Sequence, residues 1–565
     1  MKLRTVAALT LVLLLSSCGK KSQTHQLKDA NGGKKYGGTF YTNETGDLRS
    51  LDPVSNNDET SSHICESIYN NLLELDKNLN VIPSLSALPQ VSSDGLTYTF
   101  HLQTNVYFQD DACFPDGKGR KFVAKDVVYC WTRALDPTTN SLAFPYFQVI
   151  KGATAYFKSA GKLPDGVVGF QAPDDLTVVV TLERPFSPFY FYPLLGCSYI
   201  YPHEAVEHYG KDFTHHGVGT GPFKFVEYKE GQYCSVVRNS HYWDHDADGN
   251  QLPYLDGVRY SFMKETKAEL LNFEQNKLDH VYRIPTEFYQ DVVDENMRPK
   301  GKYAKYQVLH LHAMSSQFYG FNTSTGVSNV HLRRAFAFAI DRNKIIKYVL
   351  KGQAAAAGTH GIVPPSMPGY PIESVYGFAY NPDSAKIELD LAKKELGANL
   401  PDLTLQYNTG GGRNEDVAQA IQQQITATLG LSVKLQQVEW AQHTEMIDEG
   451  KAKFFRLGWI ADYPDPQNFL NLLYGKNIPA SGPSSINSTR YNNPEFDKLY
   501  EAAIAATDRN EINRLWAQAE SLAMHDAPML VIYYDEDFHI LQPWVKDFPA
   551  NAMARMVLDK TWFAE

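Results

Sequence analysis

The residues with the clearest capacity for chemistry lie in Arg456-Leu457-Gly458-Trp459-Ile460-Ala461-Asp462-Tyr463-Pro464-Asp465-Pro466. Asp465 before Pro466 has the form of a helix N-cap with proline at the first helical position, opening a helix over 467–473. That capping role leaves Asp462 free for another. Asp462 follows an apolar run with the look of a buried strand, which places its carboxylate at the ligand end of a sheet. There it can hold an ammonium group by a charge-assisted hydrogen bond. The plain alternative is a loop aspartate that bonds its own backbone.

Other candidate sets are weaker. Asp244-x-Asp246-x-Asp248-Gly249 resembles the first half of a calcium loop, but the twelfth position is Leu255 where a bidentate Glu is required. A solvated hairpin tip is the expectation. His203, His208, His215 and His216 lie close in sequence without an HExxH or fixed i, i+4 pair, which predicts a solvated loop and no metal site. Gly217-x-Gly219-x-Gly221 and Gly410–Gly412 lack the Lys-Ser/Thr of a phosphate loop and read as turns. There is no GxSxG and no spacing that suggests a Ser-His-Asp triad, so no catalytic residue and no cofactor is assigned.

The elements that must position Asp462 follow from periodicity. Leu403–Tyr407 reads as a strand, and Val417, Ile421, Ile425 and Leu429 mark a helix after the three glycines. Leu431–Val438 reads as a second strand, Ala441–Glu449 as a second helix and Phe454–Trp459 as a third strand. This β-α-β-α-β order predicts an α/β fold with a mostly parallel sheet. Ligands of such sheets sit beyond the carboxyl ends of strands, which for this chain means just after Trp459. The first half is β-rich, with Leu96–Leu102 and Leu176–Leu182 as strands and a helix from Asp126 to about Ala134 that Asp136-Pro137 ends.

With 565 residues, the chain is long enough for two to four domains. A net charge of −11 argues against binding nucleic acid. Lys2 and Arg4, the apolar run Val6–Leu15 and Leu15-Ser16-Ser17-Cys18 have the order of a secretory signal. A cysteine at that point marks a bacterial lipoprotein leader, with residues 1–17 removed and Cys18 lipidated. The basic, glycine-punctuated stretch 18–37 is then expected to be a flexible tether. Of the five remaining cysteines, none in a CxxC pair, at least one must be a free thiol, and Cys130 is the best candidate for a buried one.

Several segments taken in order carry a resemblance. They are Ser50-Leu51-Asp52-Pro53, Asp126-Val127-Val128-Tyr129-Cys130-Trp131 with Arg133-Ala134-Leu135-Asp136-Pro137, and Gly219-Thr220-Gly221-Pro222-Phe223. Gly320-Phe321-Asn322-Thr323, Leu332 through Arg342, Gly458 through Asp462, and Tyr491-Asn492-Asn493-Pro494-Glu495-Phe496-Asp497 follow. From about Gly38 to its end the chain resembles the oligopeptide/dipeptide/nickel class of extracytoplasmic solute-binding proteins, which serve ABC importers.

The resemblance implies a three-lobed, periplasmic-binding-protein type II-like fold with a hinged ligand cleft between two α/β domains. Domain I would comprise 38–58, 218–314 and 534–565, domain II 59–217, and domain III 315–533. It further implies a monomeric, lipid-anchored receptor on the extracytoplasmic face of a bacterial membrane. Such a receptor takes peptides and passes them to permease subunits, without enzymatic activity or cofactor. Residue by residue, Asp462 matches the anchor of the peptide α-amino group and Arg456 an arginine for a short peptide's carboxylate. Gly458 and Ile460 match the strand edge that pairs with the ligand backbone. Trp459, Trp440, Tyr146 and Tyr282 match positions near side-chain pockets, and Glu44 and Thr45 an opposing edge from domain I. Arg283 and Gly320 depart from the residues common in peptide binders. The alternative cargo on this scaffold is chelated nickel, haem or an opine. An exported hydrolase is the remaining rival, and the sequence offers it no nucleophile.

Overall fold

The computed structural model describes residues 27–564 apart from 57, 142, 398–399, 402, 410–411 and 507. The leader and Cys18 lie outside them. Two sheets frame the site. The first has four strands: β1 Thr39–Glu44, β2 Phe223–Lys229, β3 Tyr233–Arg238 and β4 Gly257–Phe262, in the order β2-β3-β4-β1. β1 pairs parallel with β4, from Thr39 opposite Gly257 to Glu44 opposite Phe262.

The second sheet contains β5 His280–Tyr282, β6 Gln307–Phe321, β7 Thr404–Asn408, β8 Lys434–Val438, β9 Phe454–Ile460 and β10 Met529–Leu541. Their order is β5-β10-β6-β9-β7-β8, with the short strand Ala356–Ala357 beside β10. The three strands of the β-α-β-α-β stretch are indeed parallel to one another. The other pairings are antiparallel, so the sheet is mixed. The antiparallel strands come from segments remote in sequence, and local periodicity carries no information about such pairing. β8 begins at Lys434, three residues later than expected, because Gly430 ends the preceding helix in the left-handed region.

Val417, Ile421, Ile425 and Leu429 line one face of the helix Arg413–Leu429 and pack with Leu405 of β7 and Phe454 of β9. This apolar contact fixes the parallel strands and thereby the end of β9. β6 and β10 are the longest strands, at 15 and 13 residues. Their ladder has register shifts between His312 and Ser316 and between Gln317 and Phe318. The expected boundaries after 314 and 533 fall inside these two strands.

Residues 59–217 contribute a separate antiparallel sheet that includes Thr97–His101 and Thr177–Thr181. The helix there spans Ala124–Ala134, two residues earlier than expected. Asp126 is not its first residue: its carboxylate accepts from Val123 N (2.9 Å), within the first turn. Gly219 and Gly221 are not turn glycines. A Cβ on either would fall 2.3 Å from Ile68 O or 2.5 Å from Ile68 C, so they allow two backbones to touch. His203 and His208 lie in the helix His203–Tyr209 and His215 ends the 3-10 turn that follows, rather than in a loop. No cluster of three metal-ligating side chains occurs among the described residues. Cys65, Cys113, Cys130, Cys197 and Cys234 are all free thiols, and Cys130 is fully buried.

The tether expectation fails for residues 28–36. Lys28–Asp29 and Lys35–Tyr36 form a small antiparallel hairpin. Lys34 Nζ meets Asp246 Oδ2 at 2.5 Å and Asp248 Oδ2 at 3.1 Å. The acidic loop is the expected hairpin tip, closed by the His245–Gln251 bridge with residues 247–249 exposed, and its carboxylates also hold a lysine from the arm.

Candidate functional site

The site is built on β9. Phe454 and Phe455 are buried and the next five residues are half-exposed, so the strand emerges from the core as it runs. One edge pairs with β6 over the whole length, from Phe454 opposite Phe321 to Ile460 opposite Ser315. On the other edge β7 pairs only with Phe454 and Phe455. Ala461 N donates to Met314 O (2.9 Å), so the main-chain groups of 457, 459 and 461 face β6. By strand alternation, those of Arg456, Gly458 and Ile460 face away. His443 Nε2 takes the Arg456 carbonyl at 2.8 Å. Beyond it, among the described residues, no strand covers Gly458 and Ile460. An open edge of this kind is a template for another extended chain.

Asp462 stands where that edge ends. Its backbone N donates to Asn468 Oδ1 (3.2 Å), and Trp459 Nε1 donates to the same oxygen (2.8 Å). Asn468 Nδ2 donates to Asp462 Oδ2 (3.0 Å), as does the Tyr146 hydroxyl (3.3 Å). Asn468 is held by the short helix Pro466–Leu470, which Asp465 caps by accepting from Gln467 N. Asp465 thus has the capping role and Asp462 does not. No donor among the described residues reaches Asp462 Oδ1. Burial raises the Asp462 pKa above the ordinary carboxylate value, against the two hydrogen bonds that lower it. A cation is what such a carboxylate lacks.

Arg456 lies six positions before Asp462, about 20 Å along an extended strand. Its Nη1 donates to Asn408 Oδ1 (3.1 Å) and its Nη2 to Gln317 Oε1. Both partners are neutral amides, which leaves the guanidinium charge uncompensated by them. Gln317 is directly opposite Gly458, and a Cβ at 458 would fall 2.6 Å from Gln317 Oε1. The missing side chain at Gly458 is what lets Gln317 cross to Arg456. Gln317 also donates to Asp535, which pairs with Arg413 at 3.0 Å.

The other expected residues are distributed as follows. Trp440 is half-buried at the start of its helix, its ring 5.9 Å from His443. The Tyr282 hydroxyl donates to Glu59 and Asp537, both at 3.1 Å, and the Arg283 guanidinium lies over the Tyr282 ring and pairs with Glu59 (3.2 Å). The Glu44 side chain turns inward to His63 at 2.8 Å. Burial opposes a charge on His63, but Glu44 outweighs it and holds the imidazole up at about 10. Thr45 is exposed. Gly320 is not a pocket residue; a Cβ there would fall 2.6 Å from the buried Phe455 ring. Gln317, Asn408, Asn468, His443, Arg413 and Asp535 were not singled out by sequence. Gln317, Asn408, Arg413 and Asp535 bond neighbours distant in the chain, whereas Asn468 and His443 bond residues six to thirteen positions away; no local pattern marks any of them.

The family described as "Bacterial extracellular solute-binding proteins, family 5 Middle" matches residues 80–481. The chain belongs to this family. Among curated relatives, the dipeptide-binding protein DppE of Bacillus subtilis is 29% identical over 557 residues, covering 95% of this chain and 94% of that one. Heme-binding protein A of Haemophilus influenzae is 29% identical over 496 residues, covering 86% of this chain and 84% of that one. Among solved structures, DppA from Helicobacter pylori in complex with the peptide STSA superposes with a TM-score of 0.79 at 23% identity, covering 94% and 99%. The type II periplasmic-binding-protein architecture of the family member is thus the architecture of this chain. Among the described residues no helix is long and apolar enough to cross a membrane.

Proposed function

We propose that this family member is a lipid-anchored receptor that captures short peptides outside the cytoplasm and delivers them to an ABC permease. The observation that carries the peptide assignment is the uncovered edge at Gly458 and Ile460, which ends at a part-buried carboxylate with one oxygen open. Backbone pairing along the edge supplies affinity without selecting side chains, and Asp462 Oδ1 takes the α-ammonium. Arg456 then takes the carboxylate of a short peptide lying between them. The hinge lies in β6 and β10, where the chain passes between lobes 38–58, 218–314, 534–565 and 315–533, with 59–217 as the additional lobe. The dipeptide-binding relative and the peptide-complexed structure support the cargo. The haem-binding relative defines the rival, because haem has no α-ammonium for Asp462.

Mass spectrometry of whatever is released on denaturing the freshly purified protein decides between them. The expected release is a mixture of short peptides with free amino termini. Stoichiometric haem, or a metal chelate, would overturn the peptide assignment.

A further inference from the structure

The arm that precedes β1 is bound to the body through a set of contacts. Lys34 Nζ lies between Asp246 and Asp248, and the Tyr254 hydroxyl shares the Asp246 oxygen. Asn31 N donates to Asn250 Oδ1 (2.9 Å), and Asn250 Nδ2 returns a bond to Asn31 O (3.1 Å). Tyr36 donates to Gln251 O (2.9 Å) and its ring sits 5.2 Å from that of Tyr254. Lys35 Nζ donates to Ala564 O (2.7 Å), tying in the last residues of the chain. Gly32 has φ +72°, and a Cβ there would fall 2.4 Å from Asp248 Oδ2, so the position needs glycine twice over. Ala30, Tyr36 and Trp562 pack on a separate small apolar cluster of Tyr242, Leu252 and Tyr254.

The length of the leash decides what this contact does. If all residues from Cys18 to Gly38 were free, they would reach about 70 Å when fully extended. With the hairpin docked, only the nine steps from Cys18 to Leu27 remain, about 30 Å at most. A body of this chain length has a radius of gyration of about 25 Å and a diameter of about 60 Å. The longer leash lets any face reach the bilayer; the shorter one does not.

We propose that the hairpin 28–36 is a clasp that, by locking into the loop 244–250, turns the face formed by hairpin, loop and residues 558–564 toward the lipid surface. The loop's acidic residues serve as a lysine socket, and the clasp holds the receptor in one orientation above the membrane. The facing, though not the clasp, rests on lipidation at Cys18.

Two measurements on the full-length protein test the two parts. Digestion with a lysine-specific protease reads the clasp through cleavage after Lys28, Lys34 and Lys35. The double variant Asp246→Asn with Asp248→Asn keeps every lysine, and Gly32→Val disturbs the clasp from the arm side with the loop intact. Both are expected to be cut at least tenfold faster than wild type at these sites. Equal rates in both would overturn the clasp.

The lipidated protein is then bound to vesicles of equal parts phosphatidylcholine and phosphatidylglycerol carrying a photoactivatable headgroup. Crosslinks in wild type are expected in 28–36, 240–256 and 558–564, and spread over the whole surface in either variant. Evenly spread crosslinks in wild type would overturn the facing. Failure of wild type to float with vesicles would overturn lipidation and the facing together, while the protease rates still report on the clasp.

Discussion

Replacing Asp462 with asparagine removes the charge and preserves the shape. Oδ2 of the carboxylate already receives neutral donors from Asn468 and Tyr146, so an asparagine oxygen can take its place there. What disappears is the negative charge behind the open Oδ1. Two unit charges about 4 Å apart at an effective dielectric of about 20 attract by about 4 kcal/mol. Removing one partner of such a contact in a closed cleft is expected to weaken binding by about 2–5 kcal/mol. That range is a rise in Kd of about 30-fold to a few thousand-fold.

Calorimetry with a free peptide and its N-acetyl form, on wild type and Asp462→Asn, completes a thermodynamic cycle. Acetylation should harm wild type by a similar factor and the variant little further, because the acetylated ligand has no ammonium for the carboxylate to serve. Affinity should also fall as acid protonates Asp462. Because the free carboxyl has a raised pKa and the ammonium favours its ionised form, binding releases protons and strengthens with rising pH. That rise should level off once the free carboxyl is ionised, and affinity should fall again where the peptide amine itself deprotonates, near pH 8, at about the usual α-amino pKa. Additive losses, with a coupling energy near zero, would refute the assignment of Asp462 to the ammonium.

Arg456→Met should weaken a short peptide more than its C-terminal amide, by about 1.5–3 kcal/mol, and calorimetry on the pair reads this. Burial raises Glu520 to about 7 despite bonds from Tyr370 and Val363 N. The folded state therefore holds a proton that the unfolded state has lost, and stability falls as pH rises through the interval between their pKa values. Glu520→Gln should gain about 2–3 kcal/mol on wild type between about pH 5 and about pH 8 in denaturant unfolding. Cys18→Ala should move the protein out of the membrane fraction, since without acyl chains the basic arm is a weak anchor; unchanged fractionation would contradict lipidation.

What could be read before the structure depended on range. The helix 413–429 announced itself through four apolar residues on one face, and Asp465 through its place before Pro466. Both are local signals. The place of Asp462 at the end of β9 was legible for the same reason: a carboxylate directly after an apolar strand is a local event. The mixed sheet was not, because β6 and β10 owe their place to pairing across hundreds of residues. Nor were Gln317 and Asn408, which matter only because Gly458 opens a path across the sheet and β7 lies next to β9. The arm misled for a related reason. Lysines and glycines at low hydrophobicity signal disorder unless a partner is supplied, and its partner, the loop 244–250, lies more than two hundred residues away.

The most direct measurement is a crystal structure of the protein with a tripeptide bearing free termini. The account predicts the ligand as an added strand, its main chain at about 2.9 Å from the backbone groups of Gly458 and Ile460. Its ammonium should lie on Asp462 Oδ1 and its carboxylate on Arg456. A bound ligand that leaves the edge of β9 uncovered, or whose amino terminus lies away from Asp462, would contradict it.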